Sequence, residues 1–213
     1  MPDPGKPTRR RRRADGEISR GRILDAATEI AAERGYDGTS IGAVSARCGL
    51  PASSIYWHFK DKDDLLAAVI ERSFASWLTA WRMPRGGDAP TRAVAVGRQI
   101  AGALQDCPEF LRLGLMLALE RRPVEPRARA MFMAVRDQAL AQVRTVIADL
   151  APELTDGGVE LLATYALAGG DGLFMAKEIG GDAVDLMALF ELHARAIVDA
   201  AAHLLESNGN VAR

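Results

Sequence analysis

The chain has 213 residues, 48% hydrophobic and 26% charged, which is typical of a soluble globular protein with one large domain or two small ones. Its longest apolar stretch, LGLMLAL at residues 113–119, is too short to cross a bilayer. No apolar segment follows the arginine run at residues 9–13, so a signal peptide is not predicted. The two cysteines lie outside any CxxC or His/Cys cluster, which indicates a cytoplasmic protein without a zinc site or other cofactor.

The charge is unevenly distributed along the chain, although the net value is only −1. Residues 1–60 contain 11 Lys and Arg against 7 Asp and Glu, whereas the remaining residues contain 16 against 21. A basic N-terminal part followed by an acidic body indicates that a polyanionic partner would bind at the N-terminal end. An imbalance of this size also fits a plain solubility effect, so charge alone leaves both interpretations open.

The periodicity of the chain predicts helices and no strands. Residues 1–16 are rich in Pro, Gly and Arg without apolar periodicity and are predicted to form a disordered basic tail. A first helix follows, with Gly35 at its end and an apolar stripe at Ile23, Ala27, Ile30 and Ala31. We predict an all-α protein of about nine helices, in which residues 17–64 form an N-terminal helix-turn-helix domain and residues 65–213 a larger helical domain.

The helix-turn-helix prediction depends on two short helices and the turn between them. Thr39 or Ser40 is expected to cap a second helix, and the CGLP sequence at residues 48–51 breaks the chain before a third helix that ends near Phe59. In the DKDD sequence that follows, Asp61 can cap a fourth helix, with Asp64 at the reciprocal capping-box position. Short helices joined by a tight, glycine-containing turn are typical of DNA-binding helix-turn-helix units.

A helical wheel divides the aromatic cluster of the third helix, PASSIYWHF, between two faces. Ala52, Ile55 and Phe59 fall within about 60° of one another and predict the buried side. Ser53, Ser54 and Trp57 fall on the opposite side, at roughly 160°, 260° and 200° from Ile55, and Tyr56 and His58 lie on the flanks. The outward face suits the major groove, where hydroxyl groups and an indole can contact base edges.

The flanks of this face predict contacts with the phosphate backbone. Tyr56 and His58 can bond phosphate oxygens, and Lys62 lies in the first turn of the fourth helix, where the free N–H groups also attract anions. Thr39 and Ser40 begin the second helix and offer a second anion site. Trp57 could equally pack on the first helix or in a subunit interface, and His58 and Lys62 could be ordinary surface residues. The Arg9–Arg13 run could contact DNA or only solubilise the chain.

Residues from about Ile18 to Leu66 resemble the N-terminal domain of the TetR family of bacterial transcriptional repressors. The matching stretches are ERGYDGTSI, the CGL turn and IYWHFKDKDDLL. The resemblance implies a homodimer that binds a near-palindromic DNA operator and releases it when a small molecule binds the C-terminal helices. It implies phosphate contacts by Thr39, Tyr56, His58 and Lys62, and base-side or groove-lining roles for Ala52, Ser53, Ser54 and Trp57. Pro51 stands where the family often has a polar cap. Ala52 offers no hydrogen bond to a base, so the operator sequence is not inferred from other members of the family.

The C-terminal two-thirds predicts further helices at about 91–105, 108–121, 126–150, 158–179 and 182–206. We expect dimerisation through the last two, where three glycines of ATYALAGGDGLFMA indicate close approach of another backbone or a helix break. His193 is expected to be a hydrogen-bonded core or interface histidine. Flexible and aromatic side chains favour an apolar or aromatic inducer. The candidate ligand-binding residues, each of which could also be plain core, are Trp77, Trp81, Phe110, Leu113, Met116, Phe132, Met133, Tyr165, Phe174 and Met175.

Other classes of function are disfavoured by the motifs. The sequence has no GxSxG, HExxH, phosphate-binding glycine loop or HxE…PCxxC motif, so an enzyme is not predicted. A helical interaction scaffold does not explain the outward Trp57 face. A transcriptional activator, or a regulator without a small-molecule ligand, would have the same sequence features as a repressor and stays open as the alternative.

Overall fold

The computed structural model describes residues 9–80, 82–120 and 124–211, with side chains for residues 15–79, 82–120 and 124–207. Within these ranges the chain forms nine α-helices, one 3₁₀ turn (Gly181–Ala183) and no strand, which confirms the all-α prediction. No helix in this part of the chain has the length and apolar character needed to span a membrane. The helices are α1 (Arg9–Gly38), α2 (Ile41–Cys48), α3 (Ala52–His58), α4 (Lys62–Ala80), α5 (Ala89–Asp106), α6 (Glu109–Leu119), α7 (Arg127–Leu150), α8 (Asp156–Gly180) and α9 (Leu186–Val211).

Helix α1 is longer than the sequence predicts. It begins at Arg9, inside the segment predicted as a disordered tail, because Arg, Ala and Glu all favour helix once a packed helix follows them; residues 1–8 lie outside the described residues. The predicted apolar stripe is buried, from Ile23 to Ala31. At Gly35 the backbone leaves the helical path, with φ of 66° and ψ of −169°, which confirms the predicted break, although helical residues continue to Gly38.

The second helix, the turn and the third helix follow the predicted boundaries. Ser40 is the N-cap of α2, since its Oγ accepts a hydrogen bond from the Ala43 N–H at 3.1 Å. Gly49 ends α2 in the left-handed conformation with φ of 67°, and its N–H donates to the Ser45 carbonyl. The Ser45 hydroxyl donates to the Leu50 carbonyl at 2.7 Å, so this hydrogen bond spans the turn. A side chain of α2 thus stabilises the turn that leads into α3.

The start of α4 is capped as predicted, with one change of partner. The Asp61 carboxylate accepts from the Asp64 N–H at 2.8 Å. The Asp64 carboxylate reaches back to the N–H of Lys60 at 3.1 Å, one residue before the N-cap where a capping box would place this bond. These two bonds fix the direction of α4 immediately after α3.

The chain divides into two compact units, which we call the first unit (residues up to Ser73, with Glu109–Met133) and the second unit (Phe74–Pro108, with the residues from Ala134 onward). The first unit extends beyond the boundary at residue 64 that the sequence predicts. Leu65, Leu66 and Ile70 are fully buried, and the Arg72 guanidinium donates to the Asp25 carboxylate of α1 at 2.8 Å. Because α4 continues to pack after its first turn, the unit continues with it.

Close helix packing in the second unit depends on glycines. A Cβ atom at Gly97 of α5 would lie 2.9 Å from the Phe190 carbonyl oxygen of α9. Helix α8 passes without a break through its glycines, and a Cβ atom at Gly169 would lie 2.3 Å from Cε1 of His193. His193 is half-buried and its Nε2 lies 3.0 Å from the Ala166 carbonyl oxygen, as expected for a hydrogen-bonded core or interface histidine. Gly169 therefore makes room for a side chain rather than for another backbone.

Candidate nucleic-acid interface

Helix α3 buries Ile55 and exposes Ser53 and Trp57, as the helical wheel predicts, whereas Ala52 and Ser54 are intermediate between the two faces. Ile55 is fully buried and Phe59, which follows the helix, is 3% exposed. Trp57 is 76% exposed and Tyr56 56% exposed. Ser53 is exposed, whereas Ala52, Ser54 and His58 are half-buried. The helix is thus anchored on one side by two apolar residues and presents an aromatic and hydroxyl-bearing surface on the other.

A hollow of about 380 Å³ lies between this surface and the first described turns of α1. The Trp57 ring contacts the His58 ring edge-on, with centroids 4.6 Å apart and planes at 85°. On its other side the indole approaches Gly16. The residues that line the hollow are Asp15, Gly16, Ser19, Ser53, Ser54, Trp57 and His58. The predicted base-reading residues therefore share one surface with residues of α1.

His58 sits in a mixed apolar and cationic environment. Partial burial, followed by the positive charge of Arg20, holds the pKa of the His58 imidazole below its usual value. The Arg20 guanidinium lies over the Phe59 ring, 5.3 Å from its centroid. The imidazole is therefore biased toward its neutral form in the free protein. A nearby anion would raise its pKa and favour the protonated form.

The structure changes the predicted role of Thr39. Its side chain is 1% exposed, and its hydroxyl donates to the Gly35 carbonyl at 2.8 Å. A buried hydroxyl that already donates is poorly placed for a phosphate, so we assign Thr39 to holding the α1–α2 turn. Ser40 differs, because it is exposed and its oxygen accepts from Ala43 N, which leaves the hydroxyl proton free to donate.

Lys62 is oriented by Tyr36 of the α1–α2 turn. Its ammonium donates to the Tyr36 carbonyl at 3.1 Å and lies 4.5 Å from the centroid of the Tyr36 ring. The Tyr36 hydroxyl in turn donates to the Asp63 carboxylate at 3.1 Å. Asp63 also accepts from the Ala128 N–H at 3.0 Å, at the start of α7. An ammonium has three donors, so Lys62 keeps donors for an anion while its position is held.

The candidate ligand-binding residues are divided between the two units. Buried members are Phe110, Leu113 and Phe132 in the first unit and Trp77 and Phe174 in the second; exposed members are Met116 and Met133 in the first unit and Tyr165 and Met175 in the second. Several have packing roles, since the Phe132 ring fills the space where Gly114 lacks a Cβ atom and the Met116 methyl group lies over Gly35. Trp81 lies outside the described residues.

Helix α1 contributes to this surface, which the sequence does not lead us to predict. The sequence places Gly16 in the tail and assigns no role to Ser19 and Arg20, yet these residues lie beside Trp57, His58 and Phe59. A signal was available, because residues 16, 19 and 20 precede Ile23 by seven, four and three positions, which is one helical face. Extending the apolar stripe of α1 toward its N-terminus would have found them.

The fold and this surface define a helix-turn-helix protein, with α2 as the supporting helix and α3 as the exposed one. Residues 23–69 match the family model described as bacterial regulatory proteins, tetR family. The helix-turn-helix part of the chain is therefore similar to that family, in agreement with the resemblance of its N-terminal sequence.

Two relatives and one solved structure illustrate the similarity. The chain is 27% identical over 139 residues to the HTH-type transcriptional repressor Rv1353c of Mycobacterium tuberculosis, which covers 65% of this chain and 52% of that protein. It is 36% identical over 64 residues to the HTH-type transcriptional regulator AcrR of Shigella flexneri, 30% of each chain. The structure of SmeT, the repressor of the Stenotrophomonas maltophilia multidrug efflux pump SmeDEF, superposes with a TM-score of 0.66 at 22% identity over 87% of this chain and 91% of SmeT.

These similarities differ in extent. The chain spans about half the length of Rv1353c, so the match leaves much of that relative without a counterpart. At 22% identity, the superposition on SmeT shows a shared helical fold and no more. The relatives are regulators by name and none of these names is that of an enzyme, in agreement with the class expected from the motifs.

Proposed function

We propose that this protein is a DNA-binding transcriptional regulator, and that α3 enters the major groove. The observation that carries the proposal is the exposure of Trp57 on a helix whose opposite side is anchored by Ile55 and Phe59. A large exposed aromatic side chain in water has no stabilising role, whereas in a groove it can contact thymine methyl groups. Base-edge and groove-lining contacts are assigned to Ala52, Ser53, Ser54 and Trp57.

Contacts with the phosphate backbone are assigned to residues around this face. Tyr56 is exposed with its hydroxyl available, and Ser40 offers a hydroxyl proton at the N-terminus of α2. Lys62, at the start of α4, adds a cationic donor, and His58, the last residue of α3, adds a ring N–H donor. The excess of basic residues in the first 60 positions supports the same assignment, since phosphate neutralisation dominates the affinity for DNA.

A homodimer through α8 and α9 is part of the proposal. Helix α8 carries an exposed apolar stripe at helical spacing, with large residues toward its ends and small ones at its centre. The stripe comprises Leu161, Tyr165, Ala168, Gly172, Met175 and Ile179. Leu192 of α9 is also 64% exposed. A continuous exposed apolar surface of this kind favours burial against a second copy of the chain. The twofold symmetry of such a dimer then requires a near-palindromic operator.

The proposed regulation is repression that a small molecule relieves. Rv1353c and SmeT are both named repressors, which supports repression. Flexible and aromatic side chains in the helical part favour an apolar or aromatic inducer. Operator DNA implies action in the cytoplasm.

The deciding experiment is selection of duplexes from a randomised DNA library with the full-length protein. We expect enrichment of a near-palindromic sequence, followed by release of that duplex in a screen of small apolar and aromatic compounds. A promoter–reporter fusion carrying the selected sequence should lose expression when the protein is present and regain it with the releasing compound. If no duplex is enriched, the proposal is overturned. If the protein increases expression of the reporter, it is an activator and not a repressor.

A further inference from the structure

The indole of Trp57 lies beside Gly16 of α1, a residue outside the predicted helix-turn-helix domain. A Cβ atom at residue 16 would lie 3.6 Å from Cζ3 and 3.7 Å from Cη2 of the Trp57 ring. We propose that Gly16 is a positioning residue for Trp57, so that the first turns of α1 set the orientation of the indole and thereby the base preference of α3. This inference rests on the proposed DNA-binding function.

Burial does not fix the orientation of the Trp57 indole, because most of its surface is exposed to solvent. At 76% exposure, packing within its own helix does little to select one rotamer, and an unrestrained side chain loses entropy when it binds. The His58 ring contacts the indole from α3, and a Cβ atom at residue 16 would reach van der Waals distance of its outer edge. Helix α1 is itself fixed, since Ile23 and Leu24 are buried and Arg20 lies over the Phe59 ring. The core of the unit therefore fixes residue 16 beside the indole, and the missing side chain there leaves room for the ring.

The glycine at residue 16 is not explained by backbone conformation. Its φ is not positive, and glycine inside a helix costs about 1 kcal/mol relative to alanine. A methyl group would only make an ordinary van der Waals contact with the indole, whereas a longer side chain would extend into the ring. Gly21 offers a matched comparison, because it lies five residues further along α1 and has no atom within 4 Å of an added Cβ.

The experiment compares Gly16→Leu with Gly21→Leu, and both with Gly16→Ala and Trp57→Ala. Leucine is a good helix former, so the two leucine variants change helix propensity equally. Duplexes selected by the wild-type protein are varied one base pair at a time, and the dissociation constants are measured. We expect Gly16→Leu to alter discrimination at the same base pair as Trp57→Ala, by about tenfold. Gly21→Leu should keep the wild-type preference, and Gly16→Ala, whose methyl group only reaches van der Waals distance of the ring, should have a smaller effect than Gly16→Leu.

A second readout follows the indole directly. In protein labelled with 5-fluorotryptophan, the ¹⁹F resonance of Trp57, assigned with Trp57→Phe, should shift in Gly16→Leu and stay in place in Gly21→Leu. Circular dichroism establishes that each variant is folded, and the pair Gly16→Val and Gly21→Val replaces any leucine variant that is not. Unchanged discrimination in the folded bulky variants, or an equal loss on all duplexes, would overturn the inference. If the wild-type protein selects no duplex, the proposed DNA-binding function itself is wrong.

Discussion

The side chains of α3 differ in role, since some anchor the helix and others are exposed for contacts with DNA. Ile55 and Phe59 hold the helix against the rest of the first unit, while Tyr56 and Trp57 are more than half exposed on the other side. Contacts with phosphates position a protein on DNA without distinguishing sequences, whereas contacts with base edges distinguish them. Substitutions in neighbouring residues are therefore expected to have different signatures.

Replacing Tyr56 by Phe removes one hydroxyl and keeps the ring. Because a hydrogen bond to a charged oxygen is lost, we expect binding to weaken by about tenfold on every duplex alike. Trp57→Ala should instead change the ranking of duplexes that differ at one base pair. Dissociation constants measured on a panel of single base-pair variants separate the two. A sequence-dependent loss in Tyr56→Phe would contradict its assignment to phosphate.

The lowered pKa of His58 predicts that DNA affinity depends on pH. A phosphate beside the ring favours the imidazolium, so the pKa rises on binding and the complex takes up a proton. Affinity should therefore increase as the pH falls from the pKa of the complex to the lower pKa of the free protein. His58→Asn keeps a donor without titrating and should give a flatter profile. Equal pH profiles for the two proteins would exclude a phosphate contact by His58.

At the scale of elements, the caps and glycines decide where each helix lies. Ser40 serves both the stability of α2 and the proposed phosphate contact, because its oxygen accepts from Ala43 N while its proton is free to donate. Gly169 illustrates the other device, a missing Cβ atom that admits the ring of His193 from α9. Each can be tested with a substitution that isolates one property.

Ser40→Ala should lower the free energy of unfolding by about 1 kcal/mol, because the N-cap hydrogen bond is lost. Ser40→Gly should lower it by only about a few tenths, since glycine is itself tolerated at N-caps. Both variants lack the hydroxyl, so both should bind all duplexes more weakly. Urea unfolding and binding assays measure the two effects. Full DNA affinity in Ser40→Gly would show that Ser40 acts only as a cap.

Gly169→Ala is expected to destabilise the protein by about 1–3 kcal/mol, because the new methyl group would displace His193 from the Ala166 carbonyl. Gly102→Ala is the control, since no atom lies within 4 Å of an added Cβ there. It should stabilise α5 by up to about 1 kcal/mol through helix propensity. Thermal unfolding followed by circular dichroism compares the variants. A melting temperature that rises in both would contradict close packing at Gly169.

At the scale of the whole molecule, the exposed stripe of α8 predicts that function requires two copies of the chain. Leu161 is 59% exposed, so Leu161→Glu should leave each copy folded and prevent their association. Leu119→Glu is a control, because Leu119 is 76% exposed on α6 and is not part of the stripe. Sedimentation velocity should give monomers for Leu161→Glu and dimers for the control. Operator affinity should fall by at least about tenfold, since two half-sites are no longer bound together. If the Leu161→Glu protein is still dimeric, the interface does not lie at the α8 stripe.

The sequence by itself determined the helical class, the buried stripe of α1, a cap at Thr39 or Ser40, the cap at Asp61, and the two faces of α3. These features follow from local periodicity and capping chemistry, which act within a few residues of one another. The break at Gly35 and the turn at Gly49 were predictable for the same reason, because both backbones adopt a positive φ.

Only the tertiary structure decided which groups from distant parts of the chain meet. It buried the Thr39 hydroxyl, brought Gly16 against the Trp57 ring, and joined Asp63 to the start of α7. It also divided the candidate ligand-binding residues between two units. Spacing along a helix predicts which side chains share a face, but not what that face meets, because partners come from segments far away in sequence.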